Sequence, residues 1–143
     1  MASAITKSIF KAFINAQIFI YRASKGKMGG KLAGSPILLL TTTGRKSGIA
    51  RTTPVMYIRD GDQYLITASA AGSDENPAWF KNLQHTPEAR IEVDDKTLQV
   101  RASITDDAES AKLYERFKML GDNFVQYQQK TQRVIPVIRL IPA

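Results

Sequence analysis

Apolar side chains near the start of the chain recur at helical spacing: Ile5, Ile9, Phe13 and Ile20 mark one stripe, and Phe10, Ile14 and Ile18 widen it. The pattern predicts an amphipathic helix over residues 5–21. Residues 24–31, Ser-Lys-Gly-Lys-Met-Gly-Gly-Lys, break the period with glycine and lysine and predict a flexible basic connector. Beyond Pro36 the pattern becomes that of strands, over 37–43, 52–59, 63–69, 89–93 and 98–104. Asp60-Gly61-Asp62 has the composition of a hairpin turn, because glycine accepts positive φ without a steric penalty, and a second hairpin is expected at Asp94-Asp95-Lys96.

A helix capped by Asp106 or Asp107 is expected to run to about Leu120. Ala108, Ala111, Leu113, Tyr114, Phe117 and Leu120 would face inward, with Gly121 as the stop. Val134-Ile-Pro-Val-Ile-Arg-Leu reads as a last strand in which Pro136, having no N–H, requires an edge or a bulge. The pattern as a whole predicts an α+β chain: a small barrel of about six mostly antiparallel strands with an N-terminal amphipathic helix and peripheral helices. At 143 residues it is expected to form a single domain, residues 1–35 being the helix and connector.

Composition removes several kinds of chemistry. Without cysteine there are no disulfides, thiolate metal sites or cysteine nucleophiles, and the lone histidine, His85, leaves little for a metal cluster or a serine triad. The charge is one-sided: residues 1–59 carry ten Lys/Arg and no acid, while residues 60–143 carry ten against thirteen Asp/Glu. Such an asymmetry points to a polyanionic partner, which could be a nucleic acid, an anionic membrane or a phosphorylated ligand. No apolar run approaches the roughly 20 residues that span a bilayer. Lys7 and Lys11 interrupt any signal-peptide core, so a cytoplasmic protein is expected.

The segment with most chemistry is Thr41-Thr-Thr-Gly-Arg-Lys-Ser-Gly-Ile-Ala-Arg-Thr-Thr-Pro, which places three cations, two glycines and several hydroxyls on a turn between strands. Glycines admit backbone N–H groups to an anion, Arg45 or Arg51 can pair with it through two charged hydrogen bonds, Lys46 adds a point charge and Ser47 a hydroxyl. The Gly-x-x-x-x-Gly-Lys-[Ser/Thr] order of a P-loop is missing. Taken alone, the turn could equally be a solvated basic hairpin.

This segment resembles the signature of the deazaflavin (coenzyme F-420)-dependent nitroreductase and quinone reductase family, whose fold is a split β-barrel. Asp60-Gly-Asp-Gln-Tyr-Leu-Ile-Thr-Ala-Ser, Asn76-Pro-Ala-Trp-Phe-Lys-Asn-Leu and Tyr127-Gln-Gln-Lys-Thr-Gln-Arg-Val-Ile-Pro-Val follow in the family's order, so the resemblance covers roughly residues 8–141. It implies an F-420H2-dependent reductase that passes a hydride to a small or lipophilic quinone, enone or nitro compound. The implied cofactor is an 8-hydroxy-5-deazaflavin with a phospholactyl oligoglutamate tail. By the same resemblance Arg45, Lys46 and Ser47 would hold phosphate and tail with Arg51 close by. Pro54, Met56, Ala68 and Ser69 would line the ring, Trp79 would close that side, and Asn82 would help fix its segment. Tyr127 and Ser69 are the candidate catalytic groups, hydrogen-bonding the acceptor, and no metal is implied.

The chain departs from the family at Phe124, where some members add to a tyrosine cluster. It departs again at Asp74 and Glu75, which either face solvent or alter cofactor affinity. His85 is expected on a surface turn. The basic amphipathic helix would either cover the barrel or rest weakly on an anionic bilayer at the inner face of the cell membrane. A non-catalytic barrel binding deazaflavin, flavin mononucleotide, haem or fatty acid is the alternative. Nucleic acid is disfavoured, because aromatic residues are not interleaved with the cations in a recognisable RNA-binding signature.

Overall fold

The computed structural model describes the chain except residues 1–3, 28–30 and 33–34. Helix α1 (Ala4–Ala23) is followed by strands β1 (Lys31–Leu32), β2 (Ser35–Thr43), β3 (Ala50–Met56), β4 (Ile58–Asp60) and β5 (Gln63–Thr67). Helix α2 (Ala78–His85) leads to β6 (Glu88–Val93) and β7 (Lys96–Ile104), then α3 (Asp107–Leu120), α4 (Asp122–Gln129) and β8 (Val137–Pro142). All pairings are antiparallel, in the order β1-β2-β6-β7-β8-β5-β4, with β3 also on β2. The strand expected over 52–59 breaks at Tyr57. Its first part pairs with β2 and its second with β5, so this bent segment closes the sheet on itself. Leu38, Leu40, Ile66, Ile91, Ile138 and Leu140 fill the interior with no exposed surface.

Both expected hairpins form. Gly61 takes φ 64° with Asp60 opposite Gln63, and Asp94 takes φ 56° with Val93 opposite Lys96. Asp106 caps α3 through its side chain, which accepts the Glu109 N–H at 2.8 Å. The inward face of α3 differs from expectation, because Ala108 and Ala111 are exposed and Ser110 is buried instead. Ser110 can occupy that position because its hydroxyl pairs with Thr105 Oγ1 at 2.7 Å and accepts the Val137 N–H at 3.0 Å. Pro136 lies just before β8 rather than within it. Over Ile138 to Leu140 that strand is flanked by both β5 and β7 and could not spare a donor, whereas Pro136 contributes only its carbonyl, to Ala68 N–H at 3.0 Å.

The docked face of α1 is not the stripe of Ile9, Phe13 and Ile20, which are 65%, 67% and 42% exposed. Ile18 and Tyr21, with Ile14 beside them, pack on Leu39 instead. Burying two such side chains stabilises the dock by about 1.5–3 kcal/mol each. The fork of Arg22 on Glu92, at 2.9 and 2.8 Å, is half open to solvent and adds roughly 0–1 kcal/mol. Burial raises the Tyr21 phenol above its ordinary pKa, so it stays protonated. Its hydroxyl faces the carbonyls of Ile37 and Glu92, both at 3.2 Å, and accepts the Asp94 N–H at 2.9 Å.

Of the expected connector, residues 24–27 end α1. Lys25 and Gly26 take φ 55° and 82°, and the Gly26 N–H returns to the Tyr21 carbonyl at 2.8 Å. Residues 28–30 of the connector lie outside the described residues.

Candidate active site

Residues 44–49 join β2 to β3 and are shaped by their own backbone. Gly44 N–H donates to the Ile49 carbonyl at 2.9 Å, and Gly48 N–H donates to that of Gly44 at 2.8 Å. Gly48 has φ 71° and open space where a Cβ would stand, so glycine is required by backbone conformation rather than by room. Asn82, on α2 and 4% exposed, braces this loop from beneath. Its Oδ1 accepts the Arg45 N–H at 3.1 Å and Arg45 Nη1 at 3.2 Å, while its Nδ2 donates to Thr42 Oγ1 at 3.1 Å. Ser47 Oγ accepts the Ile49 N–H at 3.1 Å. Among the described residues the amides of Lys46 and Ser47 have no partner, and Lys46 and Arg51 form no ion pair. The loop therefore presents free backbone donors beside free cations, the arrangement that binds anions.

The loop forms one wall of a cleft of about 880 Å³, to which α1 contributes Phe10, Lys11, Ile14 and Asn15, and whose inner residues include Pro54 and Trp79. Among the described residues no carboxylate lines it. Pro54 and Trp79 also line a second, smaller cavity of about 200 Å³, so the two adjoin there. The smaller chamber is bounded by Ile37, Val55 and Met56, by Thr67 and Ser69 to Ala71, and by Phe124 and Tyr127 of α4. The Tyr127 ring meets Phe124 edge-on at 5.8 Å. Its hydroxyl has only a long 3.5 Å contact from Asn123 Nδ2, a weak hold that leaves it available to a ligand.

Residues 68–76, between β5 and α2, make the third wall. Ala70, Ala71 and Gly72 have φ 46°, 53° and 86° in succession. For each of the two alanines the left-handed region costs about 1–2 kcal/mol. Arg133 holds this strained turn. Its Nε donates to the Ser73 carbonyl at 2.9 Å, Nη1 to Asn76 Oδ1 at 2.9 Å, and Nη2 to the carbonyls of Ala68, Ser69 and Glu75 at 2.9, 3.3 and 3.4 Å. Burial draws the Arg133 pKa below its ordinary value and nearby Asp74 opposes that shift; a guanidinium starts so far above neutrality that the group stays charged. Asp74 Oδ1 also accepts from Thr131 Oγ1 at 2.8 Å. Asp74 and Glu75 are exposed and line neither cavity.

Residues 14–142 match the family model of the F-420H(2)-dependent quinone reductase. The chain belongs to that family. An F-420H(2)-dependent quinone reductase of Mycobacterium tuberculosis is 40% identical over 125 residues, covering 85% of this chain and 84% of the relative. The solved structure of an F-420-H2 dependent reductase, FDR-A, superposes with a TM-score of 0.67 at 32% identity, over 73% of this chain and 93% of the other. A domain-swapped dimer superposes with a TM-score of 0.69 at 28% identity, over 88% and 94%.

The coenzyme of this reductase family joins a flat tricycle to a polyanionic tail, and the cavities have room for both parts: a cleft with cations, free amides and, among the described residues, no acid adjoins a chamber of Pro54, Met56 and Trp79. Of the residues singled out in the sequence, Arg45, Lys46, Ser47 and Arg51 lie on the cleft, Met56, Ser69 and Tyr127 on the chamber, and Pro54 and Trp79 on both. Ala68 is elsewhere, with 0% exposure in the barrel core. His85 is exposed at the last residue of α2. Sequence reasoning missed the part of α1 in the cleft and the clamp by Arg133. Lys11 and Asn15 are spaced four apart on the side of α1 away from Ile9 and Phe13, a signal that periodicity does carry. Arg133 lies within the Tyr127 to Val137 segment that carries the resemblance, but nothing in that segment names the turn as its partner.

Proposed function

We propose that this chain transfers a hydride from reduced coenzyme F-420 to a quinone. The observation that carries the reading is the meeting, at Pro54 and Trp79, of an acid-free cationic cleft with an apolar chamber. When bound, the coenzyme supplies the hydride; with one proton added, a quinone becomes a hydroquinone. Arg45, Lys46 and Arg51 neutralise the tail, and the amides of Lys46 and Ser47 donate to a tail oxygen. Asn82 orients Arg45. Pro54, Met56 and Trp79 bound the space for the ring and exclude water from it, and the Tyr127 hydroxyl, with Ser69 Oγ, hydrogen-bonds a carbonyl oxygen of the acceptor. Quinones are the first substrates to test, and enones and nitro compounds use the same hydrogen bond.

The test is a titration with coenzyme F-420 followed by fluorescence anisotropy, with flavin mononucleotide and NADPH in parallel, and then reduction of menadione by the reduced coenzyme. Saturable micromolar or tighter binding of the deazaflavin alone, with turnover, supports the reading. Preference for flavin mononucleotide or no turnover overturns it.

The acceptor's route is suggested by α1, whose one side docks on the barrel while Ile9, Phe13, Phe19 and Ile20 face outward. No helix among the described residues is long and apolar enough to cross a membrane. A surface helix with an outward apolar strip, followed by Lys25 and Lys27, suits weak peripheral association with an anionic bilayer at the cytoplasmic face, the source of lipid-soluble quinones. Sedimentation with phosphatidylglycerol vesicles should be lost in the double variant Ile9→Ser/Phe13→Ser, with menadione turnover unchanged. Equal sedimentation of both proteins would remove the membrane from the account.

A further inference from the structure

We propose that Arg133 is a positioning residue for hydride transfer, setting the separation between the two walls of the small chamber. The inference rests on the reading of that chamber as the place where ring and acceptor meet.

One wall is the turn at Ser69 to Ala71 and the other is α4 with Tyr127. Two backbone bonds close the turn, from the Gly72 N–H to the Ser69 carbonyl at 2.9 Å and from the Ser73 N–H to the Ala70 carbonyl at 3.1 Å, but three successive positive φ angles, two of them on alanine, remain costly. Beyond these, five acceptors of residues 68–76 are gathered by one guanidinium. The residue that carries it is tied to α4 through its backbone: Gln128 Nε2 donates to the Arg133 carbonyl at 3.1 Å. The Arg133 N–H adds a weaker bond to Thr131 Oγ1 at 3.3 Å, and Thr131 in turn reaches Asp74 in the turn. Contact on the other side is equally close, since a Cβ on Gly72 would fall 2.9 Å from the Tyr127 carbonyl and from Lys130. Arg133 therefore joins the two walls while lining neither cavity. Lysine, with three donors from a point charge, can satisfy part of this set; a neutral side chain of the same length satisfies none.

The consequence is a division between binding and turnover. The cationic loop at 44–49 has no bond to Arg133, so the tail should bind the variants as it binds the parent. A shift of the walls by a fraction of an ångström should slow transfer 10- to 100-fold.

The experiment compares Arg133→Met and Arg133→Lys with the parent protein in three readouts: F-420 affinity, kcat/KM for menadione, and amide hydrogen exchange. Expected for Arg133→Met are a Kd within about threefold, kcat/KM lower by at least tenfold, and faster exchange confined to residues 69–76, with Arg133→Lys between it and the parent. Unchanged turnover and exchange would overturn the proposal. So would loss of affinity and turnover together with faster exchange throughout the barrel strands, which marks a general stabilising role. If Arg133→Met does not fold, Arg133→Lys decides by the same criteria. Should the parent protein itself fail to reduce quinones, the functional reading falls, and the exchange pattern alone then decides whether Arg133 clamps the two walls.

Discussion

Two loops frame the site and use their polar groups in opposite ways. In residues 44–49 the backbone closes on itself and Asn82 holds it from below, so the Lys46 and Ser47 amides and the side chains of Lys46 and Arg51 are left for a ligand. In residues 68–76 the carbonyls turn inward onto Arg133, and what faces the cavity is small or apolar apart from Ser69 and its neighbour Thr67. Donors aimed outward give affinity, whereas acceptors turned inward give shape. The first loop should therefore govern how tightly the coenzyme is held and the second how well its ring meets the acceptor.

The double variant Arg45→Ala/Lys46→Ala is the hardest test of that division. Each charge-assisted hydrogen bond is worth about 1.5–3 kcal/mol, so F-420 affinity should fall about 100-fold or more while turnover at saturating coenzyme changes little. A collapse of kcat with affinity intact would break the comparison. Asn82→Ala should weaken affinity about tenfold by releasing Arg45, and should cost about 1–3 kcal/mol in urea unfolding because the Thr42 hydroxyl and Arg45 amide lose their partner. On the other side of the site, Tyr127→Phe should lower kcat/KM for a quinone by about 3- to 10-fold, the value of one hydrogen bond, without altering coenzyme affinity.

Raising salt from 0.05 to about 0.5 M should weaken coenzyme binding severalfold and leave the KM of an uncharged quinone unchanged. The smallest effect is expected far from both loops, at Asp60, whose carboxyl is held below its ordinary pKa of 3.8 by hydrogen bonds from Arg139 and then Arg116. A depressed folded-state pKa means stabilisation that is present above the ordinary value and lost as pH falls through the lowered one. Asp60→Asn should therefore be slightly less stable than the parent at pH 7, with the difference shrinking as pH falls below 3.8, by thermal unfolding. The group is exposed, so the difference is small and shrinks with salt.

Much of the fold was legible because its signals are local. The apolar and β-branched runs of the strands, the Asp-Gly turn and the Asp106 cap each depend on a few consecutive residues, and the structure has all three. The 44–49 loop was legible for the same reason: its glycines, cations and hydroxyl lie within one turn, and the resemblance rests on that run. Ala68 was misplaced among the expected pocket residues because the end of β5 turns its side chain into the core. A one-residue step along a strand exchanges inside for outside, and no local signal records which side was taken.

The sequence by itself determined the alternation of elements, the surplus of cations in the first half and the family to which the chain belongs, since all three are properties of residue order and spacing. Only the tertiary structure decided which face of α1 docks: Leu39 and the turn at Asp94, distant in sequence, meet Ile18 and Tyr21 and leave Ile9 and Phe13 outside. It also decided the role of Arg133, whose five acceptors lie 57 to 65 residues away. A guanidinium has fixed donors and no preference along the chain, so its partners are set by the closing of the barrel.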